Sequence, residues 1–142
     1  MKKRYYIIGI IIIIVDQLSK YLIINKNLTI IPNLLQFTYT ENIGGAFGMG
    51  NKYIILSISI IIILSIIIFL LKEKNKVTDF MPYILILSGS IGNLIDRIFR
   101  GYVIDFIDVN LFNFPNFNIA DICIVLGIFY LALLIIKINL KK

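Results

Sequence analysis

The chain contains no histidine and one cysteine, Cys123, in 142 residues. The missing imidazole excludes Ser-His-Asp and Cys-His catalysis, histidine metal sites and zinc-protease helices. A lone cysteine excludes an intramolecular disulfide and a thiolate metal cluster. Charge is scarce as well. Charged residues make up 15% of the chain and hydrophobic ones 59%, with a mean hydropathy of +0.94. Hydrolytic chemistry, if present, has to come from carboxylates, or from a serine with a lysine. The net charge of +6 lies at the ends of apolar runs, so it reads as topology information and not as a nucleic-acid surface.

Four apolar spans are present, roughly Tyr5–Ile24, Tyr53–Leu71, Met81–Ile98 and Asn118–Ile136. Spans of ~18–20 residues are long enough for an α-helix to cross a ~30 Å hydrocarbon core. The expected fold is an all-α membrane protein, a single domain over residues 1–142 with four transmembrane helices. Nine lysines and arginines fall at the two termini and in 72-KEKNK-76, against four in the other two connections. The positive-inside rule then places both termini in the cytoplasm and the connections Asn25–Lys52 and Phe99–Phe117 outside. The first span follows a basic start, as a signal peptide would. No small-x-small cleavage site follows, and Asp16 and Lys20 interrupt the run, so a retained helix is expected.

The first outer connection carries β-formers in 28-LTIIPNLLQFTYT-40, which predicts a small β-rich extracytoplasmic element. The following 42-NIGGAFGMGN-51 holds four glycines and reads as a connector or as backbone that approaches a ligand.

The topology sorts the polar residues to one side. Asp16 and Lys20, Asn93, Asp96 and Arg97, Asp105 and Asp108, and Asn118 and Asp121 all fall in the outer halves of helices or in the outer connections. A channel needs a polar path across the bilayer, and a transporter needs polar groups near the midplane. Neither pattern is present, which favours an enzyme at the outer leaflet over a transporter. A non-enzymatic small membrane protein would need no such cluster.

Asp16 and Lys20, spaced i, i+4 with the acid first, read as a supporting ion pair. Asn93 and Arg97 share a helix face, and Arg97 beside Asp96 suits either a site or a headgroup anchor. Asp108 reads as a solvated loop residue, and Glu73 and Asp79 as cytoplasmic surface. Ser19 and Ser88 are the candidate partners for Lys20 in a Ser-Lys dyad. Ser19 and Lys20 diverge by about 100° on a helix, which is poor geometry for that chemistry. Asp121 suits an N-terminal cap of the last helix. If Asp105 and Asp121 meet, like-charge repulsion keeps one protonated, and the pair can run acid-base hydrolysis through a water. Spacing alone leaves the capping explanation for Asp121 in front.

The segments 16-DQLSK-20, 42-NIGGAF-47, 89-GSIGNLIDR-97, 103-VIDFID-108 and 117-FNIAD-121, in that order, resemble the lipoprotein signal peptidases (signal peptidase II), bacterial inner-membrane aspartyl proteases. The resemblance implies that Asp105 and Asp121 are the catalytic pair. It implies that Asn42, Asn93, Arg97 and Asn118 line the site and contact substrate backbone, and that Asp16 and Lys20 support it. Gly45 and Ser90 depart from the family's usual Ala and Gly but remain small. The implied substrates are prolipoproteins whose cysteine already carries diacylglycerol, cut on its N-terminal side. No metal or organic cofactor is implied. Prolipoproteins and membrane lipids are the expected partners, the protein is expected to act as a monomer, and Gly44–Gly50 is expected to fold over the site as a lid.

Overall fold

The computed structural model describes residues 3–43, 51–73, 77–110 and 114–140; the expected lid over Gly44–Gly50 lies outside them. Four helices and three strands follow in the order α1 (Lys3–Ile23), β1 (Asn27–Ile31), β2 (Leu35–Asn42), α2 (Lys52–Glu73), α3 (Met81–Phe99), β3 (Val103–Val109) and α4 (Ile119–Asn139). The fold is mostly helical, with one small sheet. Among the described residues three helices, α1, α2 and α4, are long and apolar enough to cross a membrane. Their outer faces are apolar: Ile10, Ile14, Ile61, Leu64, Val125 and Phe129 are all more than half exposed. Such faces suit lipid better than water, because no polar surface covers them.

α3 differs from the other helices because it lies in the middle and carries a buried stripe that becomes polar towards its C-terminal end. Pro82, Ile86, Gly89, Asn93 and Asp96 recur every three or four residues and are all buried. α1, α2 and α4 all pack against this helix. Gly89 permits the close approach of α4: a Cβ there would run into the Ala120 carbonyl oxygen and come within 2.8 Å of Ile124 Cγ1. At Gly92 an added Cβ would lie 2.6 Å from Asp16 Oδ2, so the α1 carboxylate sits directly over the α3 backbone.

The sheet is antiparallel with strand order β1-β2-β3. Asn25 and Asn33 take φ of 57° and 59° in the turns before β1 and between β1 and β2, a conformation that asparagine tolerates better than most residues. Between β2 and β3, Phe37 faces Ile107 and Thr40 faces Asp105, so β2 carries one extra residue there. Such a bulge bends the strand and re-aims its side chains.

β3 corrects the sequence reading, which treated 103–108 as loop. Its first four residues are buried, and its far edge is also occupied: Phe106 and Ile107 donate to the Phe117 carbonyl at 3.0 and 2.8 Å. Ile23, Ile104 and Phe106 form a core beneath the sheet, joined by Phe37 at an edge-to-face contact of 5.7 Å. This core ties the end of α1 to β3 and sets β3 beside the start of α4.

Candidate active site

Two carboxylates reach one cavity by different local rules. Asp121 does begin as a helix cap. Asn118 is the N-cap of α4, its Oδ1 accepting the Asp121 N–H at 2.9 Å, while Asp121 Oδ2 accepts the Asn118 N–H at 3.2 Å. That reciprocal box satisfies donors that the first turn leaves open. It uses one oxygen of Asp121, and the other accepts Asn93 Nδ2 at 2.8 Å. The capping explanation is therefore correct but incomplete.

Asp105 projects from β3 and is 3% exposed. Its Oδ1 accepts Asn118 Nδ2 at 2.6 Å and its Oδ2 accepts Asn42 Nδ2 at 2.8 Å. Burial pushes the Asp105 carboxyl from an ordinary 3.8 up to about 6; the hydrogen bonds from Asn42 and Asn118 oppose this, and the charge of Asp121 adds to it. A carboxyl tuned in this way is suited to proton transfer near neutral pH.

Asp105, Asp121, Asn42, Asn93 and Arg97 line a cavity of about 280 Å³, with residues 114–117 along one side. Asn116 Nδ2 donates to Thr40 Oγ1 at 2.8 Å and holds that side to β2. Arg97 Nη1 makes one long bond, 3.4 Å to the Asn93 carbonyl, and pairs with no carboxylate among the described residues. Its other donors have no protein partner among the described residues.

Behind the cavity lies a charged layer. Lys20 is fully buried and donates to Asp16 Oδ2 at 2.8 Å, Asp96 Oδ2 at 2.9 Å and Asn93 Oδ1 at 2.9 Å. Asp16 also accepts the Ala120 N–H at 2.9 Å, which fixes the first turn of α4 against α1. Asp96 pairs with Lys20 and Arg100 and not with its neighbour Arg97. Gln17 Nε2 donates to Asp16, Asp96 and the Gly92 carbonyl at 3.1–3.2 Å, and its Oε1 accepts from Arg100 at 3.1 Å. The i, i+4 spacing of Asp96 and Arg100 was the available signal.

The remaining candidates fall elsewhere. Asp108 is held by Gln36 Nε2 at 2.6 Å and does not line the cavity. Ser19 Oγ donates to the Asp16 carbonyl at 2.8 Å and Ser88 Oγ to the Ile84 carbonyl at 2.7 Å. With all three ammonium protons of Lys20 engaged elsewhere, neither serine has it as a base. Asp79 is not simple surface: it accepts from the hydroxyls of Tyr5 and Tyr130 and from the Met81 N–H.

Apolar helices of membrane-spanning length beside a small sheet and a polar cavity mark a membrane protein, and the backbone is similar to two solved bacterial membrane enzymes. One is a bacterial membrane enzyme determined in meso at 2.3 Å resolution, with a TM-score of 0.87 and 32% identity over 98% of this chain and 91% of that one. The other, at 1.9 Å, has a TM-score of 0.81 and 33% identity over 94% and 93% of the two chains. The profile of the Signal peptidase (SPase) II family matches residues 8–137. Lipoprotein signal peptidases of Halalkalibacterium halodurans and Staphylococcus haemolyticus are each 37% identical, covering 97% and 96% of this chain and 96% of their own lengths. That of Chlorobium phaeobacteroides is 38% identical over 87% of this chain and 84% of its own. The chain belongs to the signal peptidase II family.

Proposed function

We propose that the protein is a membrane aspartic endopeptidase. It removes signal peptides from diacylglyceryl-modified prolipoproteins by cutting on the N-terminal side of the lipidated cysteine. Family membership supports the reaction class and the prolipoprotein substrates. The observation that carries the mechanism is the pair Asp105 and Asp121, which line one cavity, each held by asparagine donors.

In this mechanism one carboxylate takes a proton from water while the water oxygen attacks the scissile carbonyl. The partner, protonated, gives its proton to the leaving nitrogen as the C–N bond breaks. Two like charges in a buried site share one proton, so acid and base are present together. Asn42, Asn93 and the guanidinium of Arg97, which line the cavity, bind the substrate backbone and orient its carbonyl, while Asn118, fully buried and away from the cavity lining, only holds the carboxylates. Asp16 and Lys20 hold this frame from behind.

The topology belongs to the same reading. All four helices span the bacterial cytoplasmic membrane, with both termini inside and the sheet and cavity towards the extracytoplasmic side, and residues 1–142 act as one domain. The lysine and arginine distribution supports this orientation. The protein acts as a monomer in this reading.

The test is cleavage of a diacylglyceryl prolipoprotein by the purified, reconstituted protein. Asp105→Asn and Asp121→Asn are each expected to abolish turnover while the protein stays folded. Full turnover by either variant would overturn the aspartic mechanism.

A further inference from the structure

We infer that Lys20 is a positioning residue for the carboxylate pair: it fixes the polarity of the Asn93 amide that holds Asp121, and so keeps the pair's proton on the cavity side. The inference rests on the proposed aspartic mechanism and adds a role for the buried layer behind it.

A lysine ammonium can only donate. Asn93 must therefore turn its Oδ1 to Lys20, at 2.9 Å, which leaves its Nδ2 facing Asp121 Oδ1 at 2.8 Å. The same Asn93 Oδ1 accepts Asn118 Nδ2 at 3.1 Å, and Asn118 Nδ2 reaches Asp105 Oδ1 at 2.6 Å. Asn42 Nδ2 takes Asp105 Oδ2 at 2.8 Å, and the Asn118 N–H takes Asp121 Oδ2 at 3.2 Å. All four carboxylate oxygens thus accept from the protein side. A proton on the pair has to use a remaining lone pair, and both side chains border the cavity. Were the Asn93 amide reversed, its oxygen would face Asp121 and draw that proton away from the water that must react.

Lys20 is fully buried and does not line the cavity, so it acts through Asn93 and not on substrate. Its position is imposed from behind by Asp16 and Asp96, themselves braced by Gln17 and Arg100. The charged groups around the pair are Asp16 and Lys20 from α1, Asp96, Arg97 and Arg100 from α3, and Glu41 at the edge of the crevice beside Asp105.

The experiment compares steady-state kinetics of the full chain, reconstituted with a diacylglyceryl prolipoprotein, for wild type, Lys20→Met and the double variant Asp16→Asn/Lys20→Met. The single variant leaves Asp16 and Asp96 with one cation between them, Arg100, which endangers folding. The double variant leaves Asp96 paired with Arg100 and restores the charge balance. The expected result is a kcat lower by on the order of 100-fold with KM little changed, as loss of oriented acid-base transfer requires. The pH profile of Lys20→Met should also move to higher pH, because the Lys20 charge opposes the rise at Asp105. A folded variant with wild-type kcat overturns the inference. So does a loss carried by KM with an unmoved pH profile, or a double variant that fails to fold, since either makes Lys20 structural only. If Asp105→Asn is inactive while a folded Lys20 variant is fully active, only this inference fails; an active Asp105→Asn removes the aspartic mechanism itself.

Discussion

Asn118 Nδ2 lies 2.6 Å from Asp105 Oδ1, while the Oδ1 of the same side chain caps α4 by accepting the Asp121 N–H at 2.9 Å. One amide thus binds one carboxylate and places the helix turn that carries the other. The two duties are separable. Serine caps a helix about as well as asparagine but has no amide donor to reach Asp105. Asn118→Ser is expected to keep the helix cap and lower kcat by roughly 10–100-fold in the cleavage assay, the scale of a lost catalytic hydrogen bond. Asn118→Ala should lose the same activity and also about 1 kcal/mol of stability. Wild-type kcat in the serine variant would assign Asn118 to capping alone.

The Asp105 carboxyl titrates at about 6 in the folded chain, above its ordinary 3.8, chiefly through burial. A raised carboxyl favours the folded state fully below pH 3.8. That contribution is lost as pH rises through about 6, because the folded state must then hold a buried charge. The whole displacement is worth about 3 kcal/mol at most. Asp105→Asn removes the titration. The melting temperature of the variant relative to wild type should therefore improve between pH 4 and pH 7, measured by thermal unfolding in detergent. A difference independent of pH would mean that Asp105 is ionised at its ordinary value.

The sequence and the structure agree on the mostly helical architecture and its β-rich element, for physical reasons. Uncharged runs and β-branched alternation are local patterns, legible without tertiary contacts. What escaped was set by contacts between elements. In β3, 103-VIDFIDV-109 lacks clean alternation because one face packs on Ile23 and both edges are paired, to β2 and to Phe117. That double pairing, not the length of a loop, brings Asp105 beside α4. Asp96 stands beside Arg97 in the sequence. On a helix adjacent residues diverge, and its partners are Arg100 one turn on and Lys20 from another helix. Motif resemblance found Asn42 and Asn93. It did not supply the direction of their amides, which only the assembled hydrogen bonds define.

Asp79 shows the same limit at the far end of α3. Amid lysines it reads as surface, yet Tyr5 from α1 and Tyr130 from α4 both donate to it, with the Met81 N–H at 2.9 Å. It joins the starts of α1 and α3 to the middle of α4. Burial pushes its carboxyl up, but the bonds from Tyr130, Met81 and Tyr5 outweigh that and hold it below the ordinary range. A depressed carboxyl contributes stability above pH 3.8, and that contribution is lost as pH falls through its folded value. Asp79→Ala should therefore lower the melting temperature at neutral pH, at a cost of about 1–3 kcal/mol for the donors left without an acceptor. The difference from wild type should shrink as the solution is acidified. A helix of 19 residues, about 28 Å, separates Asp79 from the cavity end of α3, so kcat of the folded variant should be unchanged. A variant that melts normally but cleaves poorly would instead couple the two ends of α3, and would give Asp79 a part in the reaction that its hydrogen bonds do not assign.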